Sequence, residues 1–365
     1  MAISKIPSAG FQDNVKFRNL IINGDMSIAQ RGTSATGIGN GDNGYYTVDR
    51  FKFSEAGTPT AEFTMSQETD VPTGQGFAKS LKWNCTTAQA SLGASDRLTF
   101  TQSFEGQNLQ YLKKGTSSAE STTLSFWTKS TKTGTYICEL RDLDNGRSIS
   151  KSYTINSAST WEKKTITYDG DTTGTLDNDN GGSVNVTFWF GAGSNFSSGT
   201  LNTSWNTLTD ANRAVGQVNL ADNTANNFWI TGVQLEAGTT TSDFEFLPYD
   251  MNLLRCQRYY QVLAEGEDQA FGMATYYNST QLYSSQQLFI NMRTTPTLDI
   301  VTGTVFYSFI RNGGTDDVNS FVLSNRTNKN YIEFYNDTEA SGTGGDAGFL
   351  RTERAGSFVG LDAEL

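Results

Sequence analysis

The chain has 365 residues, 36% of them hydrophobic, a formal net charge of −11 and no histidine. The absence of histidine excludes imidazole as a general base, as an activator of serine or cysteine nucleophiles and as a metal ligand. No cluster of lysine and arginine interrupts the acidic sequence, so it lacks the electrostatic signature of nucleic-acid binding. We therefore expect no histidine-dependent chemistry and no nucleic-acid partner.

The composition indicates short strands joined by turns, because the chain contains 36 glycines, five prolines and little helical periodicity. Its length predicts about two domains. No apolar run approaches the roughly 20 residues that cross a bilayer, and the first residues lack the apolar core of a signal peptide. We expect synthesis in a cytosol, no membrane insertion, and three buried cysteines without disulfides: Cys85, Cys138 and Cys256.

Apolar and polar residues alternate with a period of two over residues 19–246. SVNVTFWF places four apolar side chains on one face and Trp189 on the other, and TTLSFWTK places Trp127 opposite its apolar pair. The alternation in FWITGVQLE predicts that Trp229 and Val233 lie on the same face. Such alternation, with one packed and one wet face, predicts an antiparallel β-sandwich.

The period changes at PYDMNLLRCQRYYQVL, where Asp250 is suited to cap a helix. The spacing predicts a linking helix over residues 249–264. This helix would separate a first β domain, residues 18–248, from a smaller one, residues 265–365. The polar, aperiodic residues 1–17 are predicted to form an N-terminal arm. The residues that carry the helical spacing are Leu253, Cys256, Tyr260 and Leu263.

The stretch NLIINGDMSIAQRG, residues 19–32, predicts the first strand of the sandwich and a turn, with VQLEAG as the closing strand. Asn-Gly-Asp at its centre has two interpretations. Asp25 and nearby carbonyl oxygens could bind Ca²⁺, which takes six to eight oxygen ligands. Alternatively, Asn23 and Asp25 could belong to an Asx-type turn.

Other carboxylates form two kinds of cluster. DGDTTGTLDNDNGG contains four aspartates, but Phe188 occupies the position of the bidentate glutamate in an EF-hand, so we predict a solvated hairpin loop. Paired carboxylates could hydrolyse a glycan. The nearest pairs, Asp142 with Asp144 and Asp316 with Asp317, lie in turn sequences. This context favours a protein that is not an enzyme.

Five aromatic residues are candidate glycan contacts, because exposed aromatic rings stack on the apolar faces of sugars. Each also has a plainer interpretation. The long loop at residues 191–226 or another subunit could cover the tryptophans, and tyrosine is abundant at protein interfaces generally. The five candidates are Trp127, Trp189, Tyr276, Tyr277 and Tyr283.

Three sets of motifs resemble one protein family. They are RNLIINGDMSIAQRGTS with YYTVDRFKF, then FWITGVQLEAG with FEFLPYDMNLLRCQRYYQ, and finally NMRTTPTL with GLDAEL. Over roughly residues 18–365, this order resembles tail-fibre-type, receptor-binding virion proteins of tailed bacteriophages. The resemblance implies an all-β chain with a jelly-roll β-sandwich similar to carbohydrate-binding modules. A short linking helix and a smaller C-terminal β-sandwich domain would follow it.

The resemblance also implies a homotrimer on the virion, assembled in the host cytoplasm and docked on other virion proteins through its N-terminal side. Its partner would be a host surface polysaccharide. A capsid-decorating fibre or cement protein is the alternative, and a polysaccharide depolymerase that uses paired carboxylates is a third. Related modules read Asn-Gly-x-Phe-Glu at the entry strand, where the glutamate helps to hold calcium. Here Met26 and Ser27 follow Asp25, so we expect no cofactor, with structural calcium at Asp25 as the alternative.

Overall fold

Antiparallel strands make up most of the regular structure in residues 17–365, the part of the chain that this computed structural model describes. The prediction of an all-β fold is thereby confirmed. Of the N-terminal arm predicted over residues 1–17, only Phe17 lies within the described residues. Across residues 17–365, no helix is both long enough and apolar enough to span a membrane.

The first part of the structure is a sandwich of two sheets. Sheet 1 has the strand order β1-β4-β5-β13-β7-β10, and sheet 2 has the order β12-β9-β8-β11-β6-β3-β2. Between residues 34 and 237 the strands are β1 (Ser34–Gly39), β2 (Gly44–Tyr45), β3 (Lys52–Ala56), β4 (Glu62–Glu68), β5 (Ser80–Thr87), β6 (Arg97–Glu105), β7 (Thr122–Ser130), β8 (Gly134–Asp142), β9 (Arg147–Ile155), β10 (Glu162–Tyr168), β11 (Gly182–Ala192), β12 (Asn206–Thr207) and β13 (Asn227–Ala237).

Side chains from both sheets meet in an aromatic-rich core. The ring centroid of Phe190 on sheet 2 lies 6.0 Å from that of Phe63 and 5.5 Å from that of Trp83, both on sheet 1. Burying an aromatic side chain of this kind contributes about 1.5–3 kcal/mol. The four apolar residues of SVNVTFWF, namely Val184, Val186, Phe188 and Phe190, lie in the core as predicted, but the opposite face is not wet, because Thr187 and Trp189 are buried too. The three cysteines, Cys85, Cys138 and Cys256, are buried and free.

A second group of strands has its own core, which includes Phe271, Phe309 and Leu350. These strands form sheet 3, with the order β14-β23-β17, and sheet 4, with the order β19-β18-β22-β15-β16-β21-β20. Their bounds are β14 (Tyr260–Glu265), β15 (Ala270–Asn278), β16 (Gln281–Gln287), β17 (Thr297–Ile300), β18 (Tyr307–Arg311), β19 (Gly314–Val318), β20 (Val322–Leu323), β21 (Tyr331–Asn336), β22 (Ala347–Thr352) and β23 (Phe358–Asp362).

Helices are short throughout the described residues. The α-helices are α1 (Ser194–Ser197), between β11 and β12, and α2 (Tyr249–Gln257), between β13 and β14. Single 3₁₀ turns occur at Gly106–Asn108, Gln110–Leu112, Asp210–Asn212 and Leu220–Asp222.

Helix α2 is shorter than the helix predicted over residues 249–264. It ends at Gln257, and Tyr260 begins β14, which pairs with β23 along its length. Pro248 occupies the N-cap position, so Asp250 lies in the first turn instead of capping it. The apolar spacing at Tyr260 is compatible with a helix. Pairing with a strand almost 100 residues away outweighs that local preference, because strand formation depends on its neighbours.

The stretch at residues 19–32, which we call the entry segment, is not the predicted first strand. It runs as irregular chain beside β13, where Leu20 N donates to Leu235 O at 2.9 Å. Further along, Val233 N donates to Gly24 O at 2.9 Å. A Cβ atom on Gly24 would lie 2.0 Å from the carbonyl oxygen of Val233, so only glycine fits this contact. The entry segment therefore covers the predicted closing strand without forming a ladder with it.

The Asn-Gly-Asp motif forms a turn that is fastened through Asn23. Met26 N donates to Asn23 O at 3.0 Å, and Asn23 has the left-handed φ of 61° that asparagine tolerates. The buried amide of Asn23 accepts from Ile28 N at 2.9 Å and donates to Ile28 O at 2.8 Å and Asp49 O at 3.1 Å. Its backbone N–H donates to Asn252 Oδ1 of α2 at 3.2 Å. Asn23 thus fixes the turn through its side chain and links it to the helix through its backbone N–H.

A β-bulge separates Trp229 from Val233, so the prediction that they share a face is wrong. The register of β13 against β7 shifts between Thr231 and Gln234. Inward-facing positions therefore change from even to odd residue numbers. Gly232 adopts a left-handed φ of 62° within the bulge. Trp229 is half-buried on the outer face of sheet 1, whereas Val233 is fully buried in the core.

A buried carboxylate joins the sandwich to the chain that follows α2. Glu105, at the end of β6, is fully buried. It accepts hydrogen bonds from the guanidinium of Arg258 at 2.6 and 2.7 Å and from the hydroxyl of Tyr259 at 2.5 Å. A buried charge is strongly destabilising unless it is paired, so Glu105 constrains where Arg258 and Tyr259 lie.

A second buried carboxylate, Glu364, reinforces this contact. It is bound by Arg50 and lies 3.4 Å from Arg31. Arg50 is fully buried, donates to Ser103 O at 2.8 Å, and places its guanidinium carbon 3.4 Å from the ring centroid of Tyr259. We call these two carboxylates and their partners Arg31, Arg50, Arg258 and Tyr259 the polar junction.

Replacing Asn23 with alanine should lower the free energy of unfolding by about 3 kcal/mol, because buried backbone groups of Ile28 and Asp49 would lose their partner. Urea denaturation followed by tryptophan fluorescence measures this change. Asn223→Ala is the matched control, since Asn223 is exposed and its side chain accepts only from Ala225 N. The control should change the free energy by less than about 1 kcal/mol. Equal losses in the two variants would contradict the role of Asn23.

Acid should weaken the polar junction through Glu105. Burial acts to raise the pKa of this carboxyl, but hydrogen bonds from Arg258 and Tyr259 outweigh burial and lower the pKa. The stabilisation is therefore present above the unfolded pKa of about 4.3 and is lost as the pH falls through the lower folded value. Thermal unfolding midpoints should converge for the natural chain and Glu105→Gln as the pH is lowered.

The matched control for this pH experiment is Glu267→Gln, because Glu267 is exposed. Its unfolding midpoints should follow those of the natural chain at every pH. Curves for Glu105→Gln and the natural chain that stay parallel down to about pH 3 would rule out this contribution from Glu105.

Candidate functional site

A groove of about 570 Å³ lies on the outer face of sheet 4. We call it the tyrosine groove. It forms because alternation along β15 and β16 turns Tyr276 and Leu282 into the core and leaves the neighbouring side chains outside. The groove is lined in part by Met273, Thr275, Tyr277, Tyr283, Arg326 and Glu333.

Aromatic rings form one side of the tyrosine groove. Tyr277 is 75% exposed, and its ring centroid lies 6.0 Å from that of the half-buried Tyr283. Tyr283 is directly opposite Tyr335 in the β16–β21 ladder, and these two rings stack at 5.7 Å. Such cross-strand pairs restrict ring motion and stabilise the sheet. The result is a nearly preformed aromatic surface in contact with solvent.

An ion pair supplies the polar part of the groove. Arg326 Nη1 lies 2.8 Å from Glu333 Oε2, and the arginine side chain is 67% exposed. Burial acts to raise the pKa of Glu333, but hydrogen bonds from Ser324 and Arg326 outweigh it and lower the pKa. The groove thus offers a carboxylate acceptor and guanidinium donors beside aromatic faces. This combination can bind a ligand that has both apolar faces and hydroxyl groups.

Two of the three predicted tyrosines lie in the groove. Tyr277 and Tyr283 come together as described, whereas Tyr276 is fully buried and its hydroxyl donates to Asp316 Oδ2 at 2.8 Å. Tyr276 is therefore a core residue, and its assignment as a glycan contact is wrong. Tyr335 was missed. The alternation of YIEFY, which places Glu333 and Tyr335 on one face, is the signal that could have identified it.

Trp189 is also a core residue and not a surface contact. It is fully buried, with the Phe196 ring centroid at 5.8 Å and the Arg213 guanidinium carbon at 5.1 Å. Coverage by the loop at residues 191–226 is therefore the correct interpretation. Trp127 is half-buried on the outer face of sheet 1, and its role as a glycan contact stays a prediction.

The turn at Asp25 is held by hydrogen bonds between protein groups. Asp25 Oδ1 accepts from Ser27 Oγ and from Asn252 Nδ2, both at 3.0 Å. Within residues 17–365 no group of three or more Asp, Glu, Cys or His side chains is arranged to hold a metal ion. Calcium binding at Asp25 stays a prediction. In the acidic loop, Asp171 is buried in ion pairs with Arg147 at 2.7 Å and Lys114 at 3.0 Å, so this aspartate does not face solvent.

Carboxylates from the two pairs considered for hydrolysis have structural partners. Asp142 is fully buried and is bound by Lys114. Asp316 accepts from Arg311 Nε at 2.9 Å as well as from the hydroxyl of Tyr276. One carboxylate of each pair is therefore committed to neighbouring side chains.

No protein-family profile matches the chain, and no curated protein matches its sequence. Among solved structures, similarity is found to the enzymatically active domain of tailspike protein 4 of bacteriophage CBA120. The TM-score is 0.32 at 15% identity, over 60% of this chain and 21% of that one. The chain therefore spans about a fifth of that tailspike structure.

Two further similar structures are single modules. A family 11 carbohydrate-binding module from Clostridium thermocellum has a TM-score of 0.29 at 12% identity, over 57% of this chain and 99% of the module. A putative sugar binding protein from Bacteroides thetaiotaomicron has a TM-score of 0.31 at 11% identity, over 60% of this chain and 99% of that protein. At TM-scores this low, the similarities support no functional assignment.

Proposed function

We propose that the chain is a non-enzymatic virion protein of a tailed phage, a tail fibre or receptor-binding protein that attaches to a host surface polysaccharide. The tyrosine groove carries this proposal. Its exposed rings stack on the apolar faces of sugars, and the ion pair of Arg326 and Glu333 hydrogen-bonds their hydroxyl groups.

The position of the tyrosines on adjacent strands favours recognition of a chain over recognition of a single sugar. Tyr277, Tyr283 and Tyr335 lie on β15, β16 and β21, which are neighbours in sheet 4. Because neighbouring strands are about 4.8 Å apart, the rings follow one another across the sheet. Consecutive sugars of a polysaccharide can then contact consecutive rings.

The same outer face also has the composition of a subunit interface. Met273 is 69% exposed and Phe349 is 37% exposed, and both lie on this side of sheet 4. A homotrimer that buried this face would exclude the polysaccharide. We favour the polysaccharide because the exposed charge of Arg326, paired with the mostly buried Glu333, borders the rings, and charged residues are depleted from interface cores.

The virion assignment is supported by the motifs RNLIINGDMSIAQRGTS and FEFLPYDMNLLRCQRYYQ, which resemble those of phage tail-fibre-type proteins. A homotrimer would present three copies of the groove. Individually weak sugar contacts gain through effective concentration when several copies engage one polysaccharide. Docking on other virion proteins through the N-terminal side belongs to the same proposal.

Replacing Tyr277 or Tyr283 with alanine should weaken polysaccharide binding about tenfold, or ~1.4 kcal/mol, because each variant removes a stacking surface. A glycan array of bacterial surface polysaccharides identifies the ligand, and titration of that ligand measures the change. Tyr249→Ala is the matched control, since Tyr249 is 63% exposed on α2, outside the groove. Trp127→Ala tests the remaining tryptophan candidate. Unchanged affinity in both groove variants would contradict the proposed site.

Incubating the purified chain with the polysaccharide it binds should release no new reducing ends. The physical reason is that Asp142 and Asp316 are held by basic partners. Release that is lost in Asp316→Asn would instead support the depolymerase alternative.

Antibody labelling of intact particles separates a tail fibre from a capsid-decorating or cement protein. We expect label at the tail. Label on the capsid would overturn the tail assignment while leaving polysaccharide binding by the groove unaffected.

A further inference from the structure

A row of alternating basic and aromatic side chains crosses the outer face of sheet 1. Lys82 on β5 is directly opposite Trp229 on β13, and Trp229 is directly opposite Lys129 on β7. Trp161, next to the start of β10, lies beyond Lys129. We call these four residues the tryptophan–lysine ladder. It belongs to the sandwich, whereas the tyrosine groove belongs to sheet 4.

The ladder is closely packed. The ammonium nitrogens of Lys82 and Lys129 lie 5.1 and 4.3 Å from the ring centroid of Trp229. Lys129 also lies 5.4 Å from the ring centroid of Trp161. Cation–π contacts of this length hold the lysine chains against the indoles, so the ammonium groups occupy defined positions.

The two lysines differ in how their charge is compensated. Lys129 is 8% exposed and is paired with Asp70, whose second oxygen accepts from Trp161 Nε1 at 3.0 Å. Lys82 is half-exposed, and among the ion pairs within residues 17–365 it takes part in none. Asp70 acts on Lys82 through space without pairing with it directly, so a half-exposed ammonium lies beside a half-exposed indole.

We propose that the tryptophan–lysine ladder binds an acidic saccharide whose sugar rings carry carboxylate groups. The apolar face of a sugar ring contacts the part of the Trp229 indole that the two lysines leave exposed, and its carboxylate pairs with the ammonium of Lys82. A neutral saccharide would leave the ammonium of Lys82 without an ionic partner. A nucleic acid would require many more phosphate contacts than this row can supply. The proposal does not depend on the tyrosine groove.

The test compares two forms of one ligand. The probes are a hexameric oligogalacturonate and the same hexamer with every carboxylate methyl-esterified, each titrated into the full chain and followed by tryptophan fluorescence. The acidic form should bind at least about tenfold more tightly, since only it can form charge-assisted hydrogen bonds to lysine. Its binding should weaken as salt is added, because salt screens exposed charges.

Lys82→Gln should reduce binding of the acidic form about tenfold, and Trp229→Ala should reduce it further by removing the stacking surface. Lys113→Gln is the matched control, because Lys113 is an exposed lysine elsewhere on the sandwich, paired with Glu120. It should bind like the natural chain, as should Tyr277→Ala. Thermal unfolding midpoints verify that each variant is folded, and Lys82→Gln provides the decisive comparison if Trp229→Ala unfolds.

Three results would overturn the proposal. They are equal or absent binding of the two hexamers, an equal loss in Lys82→Gln and Lys113→Gln, and a poly-glutamate peptide that binds as tightly as oligogalacturonate. The last result would identify the ladder as a surface for acidic peptides. Loss of oligogalacturonate binding in Tyr277→Ala would assign the ligand to the tyrosine groove and so also contradict a separate site.

Discussion

The carboxylate of Glu105 is the constraint on which the connection between the sandwich and the following strands depends. Its charge is out of contact with water, and removing a partner from a buried ion pair costs about 3–5 kcal/mol. Arg258 and Tyr259 must therefore remain at the end of β6. These two residues lie between α2 and β14, so fixing them also fixes where the helix ends and where sheet 3 begins. Glu364, just after β23, and Arg50, just before β3, impose the same requirement through the ring of Tyr259.

The entry segment serves this connection and not the sandwich ladder. It contacts β13 through Leu20 and Gly24, α2 through Asn23, and the final strand through Arg31, which lies 2.8 Å from Asp362. A regular strand could not reach all three, because its backbone groups would be committed to one neighbour. In irregular chain, side chains can hydrogen-bond the backbone N–H and C=O groups of the entry segment. The segment is then able to contact β13, α2 and the final strand.

Much of the fold could be predicted from the sequence, because alternation and turn residues are local signals. The errors arise where a distant contact decides the structure. The bulge in β13 moves Trp229 to the outer face. Gly232 is a local signal of such a bulge, but a glycine alone does not determine the register of the strand. Tyr260 has helical spacing but pairs with β23. Trp189 and Tyr276 have the pattern of exposed residues, yet a loop covers the first and sheet packing buries the second. Tyr277 and Tyr283 were named only as separate candidates, and the hairpin of β15 and β16 is what brings their rings together.

The bulge in β13 also limits how far the open surface of sheet 1 extends along this strand. Beyond it, Gln234 and Glu236 point outward but are covered by the chain around Ser242, with Ser242 Oγ accepting from Gln234 Nε2 at 3.1 Å and donating to Glu236 Oε2 at 2.6 Å. The open surface around Trp229 therefore stops within a few residues along the strand. A long molecule bound there has to lie across the strands and not along one of them. Its repeat length must therefore match the distance between neighbouring strands, and not the rise per residue along a strand.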